Sequence, residues 1–442
     1  MTPQARIIGP DKHPIKIDMI DRDALFILRK LHKAGHASYL VGGGVRDLYL
    51  GKTPKDFDIS TNARPGQIRK IFPHSKTIGR RFRLVQIFFG NGKTIEVSTL
   101  RSLSEHDLDG PETVLAPNNT FGTLSEDARR RDLTINSLFY EIENNTIIDY
   151  VGGITDLNNG VIQIVGDPQK RISRDPVRMI RAIRHSARNN FVIEEESWAA
   201  ICRNCHKISL CPPSRLRDEF LKDLYSGAAA PWFKLALQSG VFTVLFPFYS
   251  AALGETANRK DHTASQLERI FATIDRINNL SLSQNIHRQP DHFLLALLLT
   301  PWLEHGLQLY SQQRKGGELF QLAKLIRGNI DRTIGTDFNL RRSSRQEIVT
   351  LIINLAQLIH NRQKNSWPRW LKKKSYFKKC LLFYHFYQES KDGRTVDTDT
   401  LLDNSQQRES FRNDRQQPQN SHPKYRPALS SKKKGGIFGL KK

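Results

Sequence analysis

The alternation of apolar and polar residues separates an N-terminal part of mixed α/β character from a longer helical part. Apolar residues recur at helical spacing in Asp21–Ala34, which predicts an amphipathic helix. Short apolar or alternating runs predict strands at Ser38–Val41, Phe57–Ser60, Arg83–Phe89, Thr94–Leu100 and Thr146–Asp149. Farther along, helical patterns dominate at Arg174–Asn189, Trp198–Cys205, Arg215–Tyr225, Ala229–Gln238, Ser265–Asn279, Pro290–His305, Gly317–Ile330 and Arg345–Arg362. The expected fold is an α/β head followed by an all-α neck and body.

These patterns divide the chain into regions. We expect an N-terminal extension at 1–20, the α/β head at 21–165, a helical neck at 166–228, a helical body at 229–390 and a tail at 391–442. The tail is poor in apolar residues and rich in Gln, Asn, Ser and charge, so it has too little apolar surface to offset chain entropy. It is therefore predicted to be disordered.

Charge points to an anionic partner. The chain has 442 residues, a formal net charge of +24 and a pI of about 10.0, and residues 361–442 carry +13 of that charge. Nucleic acid is favoured over lipid because no basic amphipathic helix stands out. The basic tail either binds RNA or only increases the solubility of the chain.

Composition excludes several classes of protein. Four cysteines in 442 residues exclude a disulfide scaffold and suit a reducing compartment. The longest apolar run, Phe293–Leu299, is far shorter than the roughly 20 residues of a membrane span. The first 20 residues contain Pro3, Pro10 and Pro14 and no apolar segment, so no secretory signal is expected. We expect a cytoplasmic protein that makes no membrane contact.

A Gly-rich turn between a strand and a helix is the first candidate for chemistry. The stretch from Tyr39 to Ile59 reads YLVGGGVRDLYLGKTPKDFDI, in which three consecutive glycines, Gly42, Gly43 and Gly44, follow the strand. Glycines at such a junction let backbone N–H groups approach a phosphate closely. A P-loop would need glycine at position 46, and a dinucleotide fingerprint would need it at position 47, so both motifs are excluded.

A pair of carboxylates follows the turn. Residues i and i+2 of a strand share a face, so Asp56 and Asp58 are expected to point the same way. Their mutual repulsion is relieved by a divalent cation, and the pair predicts a site for two Mg²⁺ ions. Two residues are candidates for a third acid. Glu96 is otherwise an exposed strand position, and Asp132 is otherwise an ion-pair partner within an arginine cluster.

Arginines supply the charge that a triphosphate needs. Besides Arg80, Arg81 and Arg83, four arginines spaced three or four residues apart follow the neck boundary, and this spacing places them on one helix face: Arg174, Arg178, Arg181 and Arg184. That face either turns toward phosphates and a base, for which Arg has bidentate geometry, or is simply a solvated basic surface.

Taken together, seven segments resemble a known family: LVGGGVRD, PKDFDI, IGRRFRLVQIFFG, IEVSTLR, RRRDLTINSLFY, DYVGGITDL and RDPVRMIRAIR. They are similar to the class II nucleotidyltransferases of the polymerase-beta superfamily, which include the poly(A) polymerases and the CCA-adding tRNA nucleotidyltransferases. The resemblance covers roughly residues 21–250, in the same order and spacing. The IGRRFRLV segment and the basic C-terminal extension are similar to the poly(A) polymerase branch. The resemblance implies a polymerase-beta-like head with a small mixed sheet.

The resemblance also implies roles for single residues. It makes Asp56 and Asp58 the ligands of catalytic Mg²⁺, with Asp132 a further catalytic acid. The residues expected to bind the incoming nucleotide are Gly43, Gly44, Arg46, Arg131, Asp175, Arg178 and Arg181, and of these Asp175 and Arg178 select the base without a template. The chain departs from the family at Arg174, where Glu is usual, and at Gln86, where His is usual.

The function implied is template-independent addition of AMP from ATP to RNA 3′ ends by two-metal nucleotidyl transfer, in mRNA polyadenylation and RNA decay. The expected partners are an RNA 3′ end and ATP, with RNA-decay proteins as further candidates, and the family resemblance favours a monomer. Two alternatives stay open. One is a CCA-adding tRNA nucleotidyltransferase, and the other is a non-catalytic RNA-binding protein on the same scaffold.

Two further patterns have a simpler interpretation. Cys202-x-x-Cys205-His206, followed by Cys211, is interpreted as packed free cysteines rather than a haem or zinc site. Aromatic residues alternate with lysines between Trp367 and Tyr387. They form either a surface that stacks on single-stranded bases or, more commonly at this spacing, the core side of an amphipathic helix.

Overall fold

The computed structural model describes residues 4–79, 83–102, 120–254, 257–283, 288–310, 314–362, 367–393 and 395. Of the residues singled out in the sequence, Arg80, Arg81 and Phe82 lie outside these ranges. So does almost all of the predicted tail, and its predicted disorder stays a prediction.

A mixed sheet of eight strands organises the head, in the order β1-β8-β7-β2-β3-β6-β5-β4. Its strands are β1 (Arg6–Ile8), β2 (Ser38–Val41), β3 (Asp58–Thr61), β4 (Ser75–Ile78), β5 (Leu84–Phe88), β6 (Thr94–Thr99), β7 (Leu138–Glu141) and β8 (Thr146–Asp149). Only β3 and β6 run parallel, and the other neighbours are antiparallel. The predicted mixed sheet is thus confirmed.

The helices in the described part of the head are α1 (Arg22–Lys33), α2 (Gly43–Tyr49), α3 (Pro65–Ile71), α4 (Leu124–Arg130) and α5 (Gly153–Asn159). The predicted first helix is confirmed. Asp21 caps α1 by accepting hydrogen bonds from the backbone N–H groups of Asp23 and Ala24, and its apolar stripe is buried.

Four strands of this sheet depart from the sequence expectations. Strand β1 pairs with β8 at the edge of the sheet, although residues 1–20 were assigned to an extension outside the head. Strands β4 and β7 were not predicted. The predicted strand Phe57–Ser60 begins only at Asp58, so Asp56 lies in the irregular segment before it.

The described residues that follow are mainly helical, and they include a two-stranded sheet of β9 (Val161–Ile162) and β10 (Val192–Ile193). The helices are α6 (Pro168–Arg174), α7 (Val177–Asn189), α8 (Glu195–Asn204), α9 (Pro213–Leu224), α10 (Ala229–Gln238), α11 (Val241–Leu245), α12 (Ser250–Gly254), α13 (Ala257–Ser283), α14 (Asp291–Leu307), α15 (Gly316–Arg332), α16 (Ile334–Asp337), α17 (Arg342–Arg362), α18 (Arg369–Lys372) and α19 (Phe377–Asp392). Within the described ranges, no helix has the length and apolar character required to cross a membrane.

The predicted helix Arg174–Asn189 begins only at Val177, and Arg174 is the last residue of a separate helix. Helix α6 ends at Arg174 and α7 begins at Val177, because Pro176 has no N–H to continue the hydrogen bonds of α6 and restricts the residue before it. The spacing predicts that Arg174 and Arg178 share one helix face. They lie in separate helices, so this expectation is wrong for Arg174.

Arg184 has a structural role instead of facing phosphates. Its guanidinium is buried between α7 and α9, where it donates hydrogen bonds to Glu219 at 2.7 Å and to Asp223 at 2.5 Å. The expectation that all four spaced arginines turn toward a ligand is therefore wrong at this position.

An aromatic core follows α9. The rings of Phe220 and Phe246 lie 4.9 Å apart, and those of Phe233 and Phe271 stack at 4.8 Å. Because α9, α10 and α13 all contribute to this cluster, it joins the neck helices to those of the body.

Helix α5 packs closely on the segment that follows Arg130, Arg131 and Asp132, here called the Arg-Arg-Asp motif. Asp149 is buried and accepts backbone hydrogen bonds from Val151 to Ile154, which holds the entry to α5. A Cβ at Gly153 would lie 2.3 Å from the carbonyl oxygen of Thr134. Only glycine allows this approach between the two backbones.

Candidate active site

The Gly-rich turn lies between β2 and α2. Gly42 has φ +68° and ψ −134°, a conformation that disfavours any residue with a side chain. A Cβ at Gly42 would lie 3.4 Å from Nη1 of Arg131, and one at Gly43 the same distance from Nη2 of Arg46. Gly44 is buried, and a Cβ there would meet the Asp56 carbonyl at 3.5 Å. The turn thus covers two of the predicted nucleotide-binding arginines.

The parallel pairing of β3 and β6 brings two acidic residues together. Ile59 is in register with Val97, so Asp58 and Glu96 occupy neighbouring positions one residue earlier. On the same face, two residues further along, Ser60 and Ser98 are joined by a 2.9 Å hydrogen bond between their hydroxyls. Asp58 and Glu96 therefore project from one face of the sheet.

The electrostatics of Asp58 reflect this crowding. Its enclosure by the cleft, and then the neighbouring negative charges of Glu96 and Asp56, raise the pKa of Asp58 to about 6 against the opposing effect of Arg131. The carboxylate of Asp56 is exposed. The carboxylates of Glu96 and Asp56 thus act on Asp58 electrostatically, and their repulsion is one cause of its raised pKa.

Gln86 holds Glu96 in place. The two residues are directly paired across β5 and β6, and Nε2 of Gln86 donates a hydrogen bond of 3.1 Å to Oε1 of Glu96. This is the position at which the chain departs from the family histidine. The amide donates the bond without carrying a proton that titrates.

The other candidate acid, Asp132, is paired with an arginine. Nε of Arg181 donates a 2.5 Å hydrogen bond to its Oδ2, and its own chain neighbour Leu133 donates a backbone N–H to Oδ1. Burial opposes its ionisation, but Arg181 and Arg178 overcome that effect and hold the pKa of Asp132 far below its ordinary value. Asp132 lines the cleft as the partner of an arginine.

Arg46 lies beneath the Gly-rich turn and is buried. It donates to Asp47, to the side-chain oxygen of Asn136 at 2.6 Å, and contacts Nδ1 of His185 at 3.2 Å. Burial and the charges of Arg46 and Arg181 lower the pKa of His185 well below its ordinary value, so the imidazole is neutral at pH 7. Arg46 is thus placed to support the turn.

Arg131 stands at the centre of the cleft. It donates to Asp127 at 3.0 Å and to the hydroxyl of Ser60 at 3.2 Å, and its guanidinium lies 5.0 Å from the centre of the Phe139 ring. These contacts orient the side chain toward the face that carries Asp58.

Two arginines from the neck hold the backbone of this motif. Arg171 donates to the carbonyl oxygens of Arg129 and Arg131, and Arg178 donates to those of Arg130 and Arg131. Since the carbonyl of Arg131 is shared, α6 and α7 both position the Arg-Arg-Asp segment against the head.

Asp175 is paired with a residue that the sequence analysis did not single out. Both oxygens of Asp175 lie 2.9 Å from the guanidinium nitrogens of Arg215, which projects from α9. Both residues line the cleft, as does Arg178. Such two-point pairing restricts both side chains to one arrangement.

These groups line one cleft of about 360 Å³, a size typical of small-ligand sites. Asp58 and Glu96 line it from the sheet, and Arg178, Arg181 and Arg215 line it from α7 and α9. The lining residues are Val41, Asp58, Ile59, Leu84, Glu96, Ser98, Arg101, Asp127, Arg130, Arg131, Asp132, Asp175, Arg178, Arg181, Arg215 and Glu219. Such a cleft can accept a polyphosphate and place it beside a carboxylate cluster.

The donor set fits Mg²⁺. Carboxylate oxygens are the ligands that this ion prefers, and their charge repulsion at Asp58 is what a cation relieves. In the described part of the chain, no group of three His, Cys, Asp or Glu side chains is arranged as a complete metal site. Mg²⁺ is commonly held by one or two carboxylates together with substrate phosphates, so an incomplete protein site suits it.

Comparison with known proteins identifies two stretches of the chain. Residues 38–163 match the family model described as "Poly A polymerase head domain", and residues 190–253 match that described as "Probable RNA and SrmB- binding site of polymerase A". The chain is 39% identical over 309 residues to poly(A) polymerase I of Escherichia coli O6:H1, covering 68% of this chain and 65% of that protein. It thus spans just under two thirds of that relative's length.

A second relative and a solved structure agree. Identity to poly(A) polymerase I of Haemophilus influenzae is 38% over 308 residues, covering 66% of this chain and 67% of the relative. The crystal structure of the Bacillus stearothermophilus CCA-adding enzyme in complex with CTP aligns with a TM-score of 0.60 at 22% identity, over 86% of this chain and 80% of that one, which shows a shared fold. The chain belongs to the nucleotidyltransferase family that comprises the bacterial poly(A) polymerases and the CCA-adding enzymes.

Proposed function

We propose that the protein is a template-independent poly(A) polymerase that transfers AMP from ATP to the 3′ end of RNA. The observation that carries the proposal is the cleft, where Asp58 and Glu96 face a wall of arginines across a space suited to a nucleotide. Its place in the cell would be mRNA polyadenylation and RNA decay. The 39% identity to the E. coli poly(A) polymerase supports this choice of reaction.

The reaction joins the RNA 3′-oxygen to the α-phosphorus of ATP and breaks the bond between that phosphorus and the bridging oxygen of pyrophosphate. Mg²⁺, two ions by analogy with related transferases, would supply Lewis acidity at the carboxylates of Asp56 and Asp58. Glu96, oriented by Gln86, adds negative charge beside Asp58. The chain's own contribution is to place the 3′-hydroxyl and the α-phosphate in line.

Arginines would hold the triphosphate. Arg131 reaches the cleft from beneath the Gly-rich turn. Arg181 also lines the cleft and is paired with Asp132. Asp127 is paired with Arg131, and Asp132 is paired with Arg181. Because these carboxylates hold the two guanidinium groups, both are oriented before the nucleotide binds. Such preorganisation lets the site stabilise the charge that develops on the leaving pyrophosphate.

The base would be selected by Asp175 and Arg178. Arg215 fixes Asp175, and the carbonyls of Arg130 and Arg131 fix Arg178, so the side chains are arranged before any base binds. A pocket held this firmly suits one base. A CCA-adding enzyme must accept both cytosine and adenine in turn, which favours a pocket that rearranges.

Extension of a short 5′-labelled RNA with Mg²⁺ and either ATP or CTP tests the proposal. A long ladder with ATP alone supports it, whereas addition of a few nucleotides that requires CTP supports the CCA-adding alternative. No extension with either nucleotide supports an RNA-binding protein on the same scaffold and overturns the proposal.

Asp58→Asn is the matched catalytic control. It should abolish extension and leave RNA binding and the unfolding temperature intact, because it removes a carboxylate that its neighbours already repel. Full activity of this variant would overturn the assignment of Asp58.

A further inference from the structure

The structure separates the aromatic residues that alternate with lysines into two sets. Phe383, Tyr384, Phe386 and Tyr387 are buried on α19, as expected for the core side of a helix. The ring of Trp367 also turns inward and meets that of Tyr384 edge-on at 5.7 Å.

Trp370 belongs to the other set. Its side chain is 54% exposed, while its neighbour Leu371 is 1% exposed and anchors the short helix α18. The other tryptophans, which all lie in described ranges, are buried or half-buried. A large ring held outward on an anchored turn exposes apolar area that water disfavours.

The surroundings of Trp370 are basic. Arg369 precedes it, Lys372, Lys373 and Lys374 follow it, and all four side chains are exposed. Residues 348–388 contain eight Lys and Arg and no Asp or Glu. Across the described residues, none of these four side chains forms an ion pair.

The acidic residue just before this stretch is already paired. Glu347, on α17, accepts a hydrogen bond from Lys379 on α19. That contact ties together the two helices that flank α18, and it leaves the positive charge around Trp370 uncompensated by Glu347.

We propose that Arg369, Trp370 and Lys372–Lys374, here called the Trp370 surface, bind single-stranded RNA. The indole stacks on one unpaired base, and the flanking cations contact phosphates on either side. The combination is sequence-tolerant, since every base presents a π-face. This inference rests on the proposed function, in which the RNA must stay bound to the protein while the RNA 3′ end moves by one nucleotide in each cycle of addition.

RNA is favoured over a lipid surface by the shape of the segment. Helix α18 has four residues, and its apolar residue Leu371 is turned into the body, which leaves one outward apolar side chain. Membrane-surface helices bury a continuous apolar face, and this segment has none.

Substitution of the ring tests the stacking contact. Binding of fluorescein-labelled oligoadenylate, followed by anisotropy at constant low salt, should weaken about 5- to 100-fold in Trp370→Ala. Trp370→Phe should recover most of the affinity because it restores a π-face. Phe320→Ala removes an exposed ring elsewhere, 69% exposed on α15, and should bind like the wild type.

Substitution of the charges tests the phosphate contacts. The triple variant Lys372→Gln, Lys373→Gln, Lys374→Gln should lower the slope of log affinity against log salt by about 2, since each single-strand phosphate contact contributes roughly 0.7. A control with the same loss of charge in the head replaces the exposed residues Lys12, Lys16 and Lys33 by Gln and should keep the wild-type slope.

The outcomes distinguish this inference from the proposed function. If the wild type extends RNA with ATP but the Trp370 and lysine variants bind RNA as it does, the Trp370 surface is refuted and the polymerase proposal stands. If the variants lose RNA affinity while the wild type extends nothing, the surface stands and the polymerase proposal falls. Loss of binding to phosphatidylglycerol vesicles by Trp370→Ala, with unchanged RNA binding, would assign the surface to lipid and overturn the inference.

Discussion

Asp132, which follows α4 in the head, and Arg181, on α7, are joined by a hydrogen bond of 2.5 Å between Oδ2 and Nε. The side chains are 14% and 32% exposed, so the pair lies largely inside the protein. Asp132 thus orients an arginine of the cleft, and Glu96 lies next to Asp58 on the paired strand.

Asp132→Asn should therefore lower stability and nucleotide affinity together. We expect a loss of about 2 kcal/mol in the free energy of unfolding, because a hydrogen bond between charged groups is lost and Arg181 is left unpaired. A double-mutant cycle with Arg181→Gln, measured by urea unfolding, should show coupling of about 1–3 kcal/mol. Additive effects of the two substitutions would contradict the pairing.

Glu96→Gln should weaken the binding of Mg²⁺ that extension requires. We expect the Mg²⁺ concentration for half-maximal extension to rise about tenfold, because one negative charge is removed beside Asp58. Direct Mn²⁺ binding, measured by electron paramagnetic resonance, should weaken in parallel. Asp132→Asn serves as the comparison and should leave Mn²⁺ binding near the wild-type value; the reverse ranking would make Asp132 the acid at the metal.

Arg215→Ala should relax the choice of base. Loss of the partner of Asp175 frees that carboxylate, so the preference for ATP over CTP in kcat/KM should fall on the order of tenfold. The control is Arg217→Ala on the same helix, because Arg217 contacts Asp218 and the carbonyl of Asn339 outside the cleft. An unchanged ratio in Arg215→Ala would remove Asp175 from base selection.

Gly153→Ala should destabilise the head. Its methyl group would lie 2.3 Å from the Thr134 carbonyl oxygen, and separating the two backbones should cost about 1–3 kcal/mol. Gly66→Ala, in α3, is the matched control, because open space surrounds that position and alanine favours the helix by about 0.5–1 kcal/mol. Thermal unfolding should order the variants Gly66→Ala, wild type, Gly153→Ala from most to least stable.

Glu219 should contribute an acid-sensitive part of the stability. Burial opposes its ionisation, but Arg184 and Arg181 lower the pKa of Glu219 to about 2, below the 4.5 of a free glutamate. The carboxylate therefore stabilises the folded state above pH 4.5, and the stabilisation is lost as the pH falls toward 2. In urea unfolding, the difference between wild type and Glu219→Gln should narrow from about 3 kcal/mol at pH 7 to about 1 kcal/mol at pH 3.

The exposed Glu318 provides the control for that experiment. Glu318→Gln should differ little from the wild type at either pH, since exposed charges contribute little to stability. A difference for Glu219→Gln that stays constant with pH would contradict the assigned pKa direction.

Local patterns predicted much of the fold. The stripe of α1 and the alternation of β6 are properties of consecutive residues, so they can be deduced from the sequence. The end of α6 depends on Pro176, and the periodic arginines on either side concealed that break. Strand β7 is buried almost throughout and shows little alternation, which explains why it was not recognised.

The site was harder to predict because its contacts are distant in the sequence. Asp58 stood out through its spacing from Asp56. Its closeness to Glu96 depends on the parallel pairing of two strands more than thirty residues apart, which no local pattern reveals. Arg215 lies in an ordinary helical pattern, and only the fold brings it to Asp175. The roles that the family resemblance implies for single residues are predictions, and the variants above test them.

The separation of the cleft residues along the chain affects when the site can form during synthesis. Of the cleft residues, Val41 is made first and Glu219 last, and at about 5–20 residues per second the ribosome needs roughly 9–36 s to cover the distance between them. Throughout that interval the acidic strands lack the helices that complete the cleft. A nascent chain is thus unable to assemble the nucleotide site until α9 has emerged, so a ribosome-bound fragment that ends before α9 should not retain ATP.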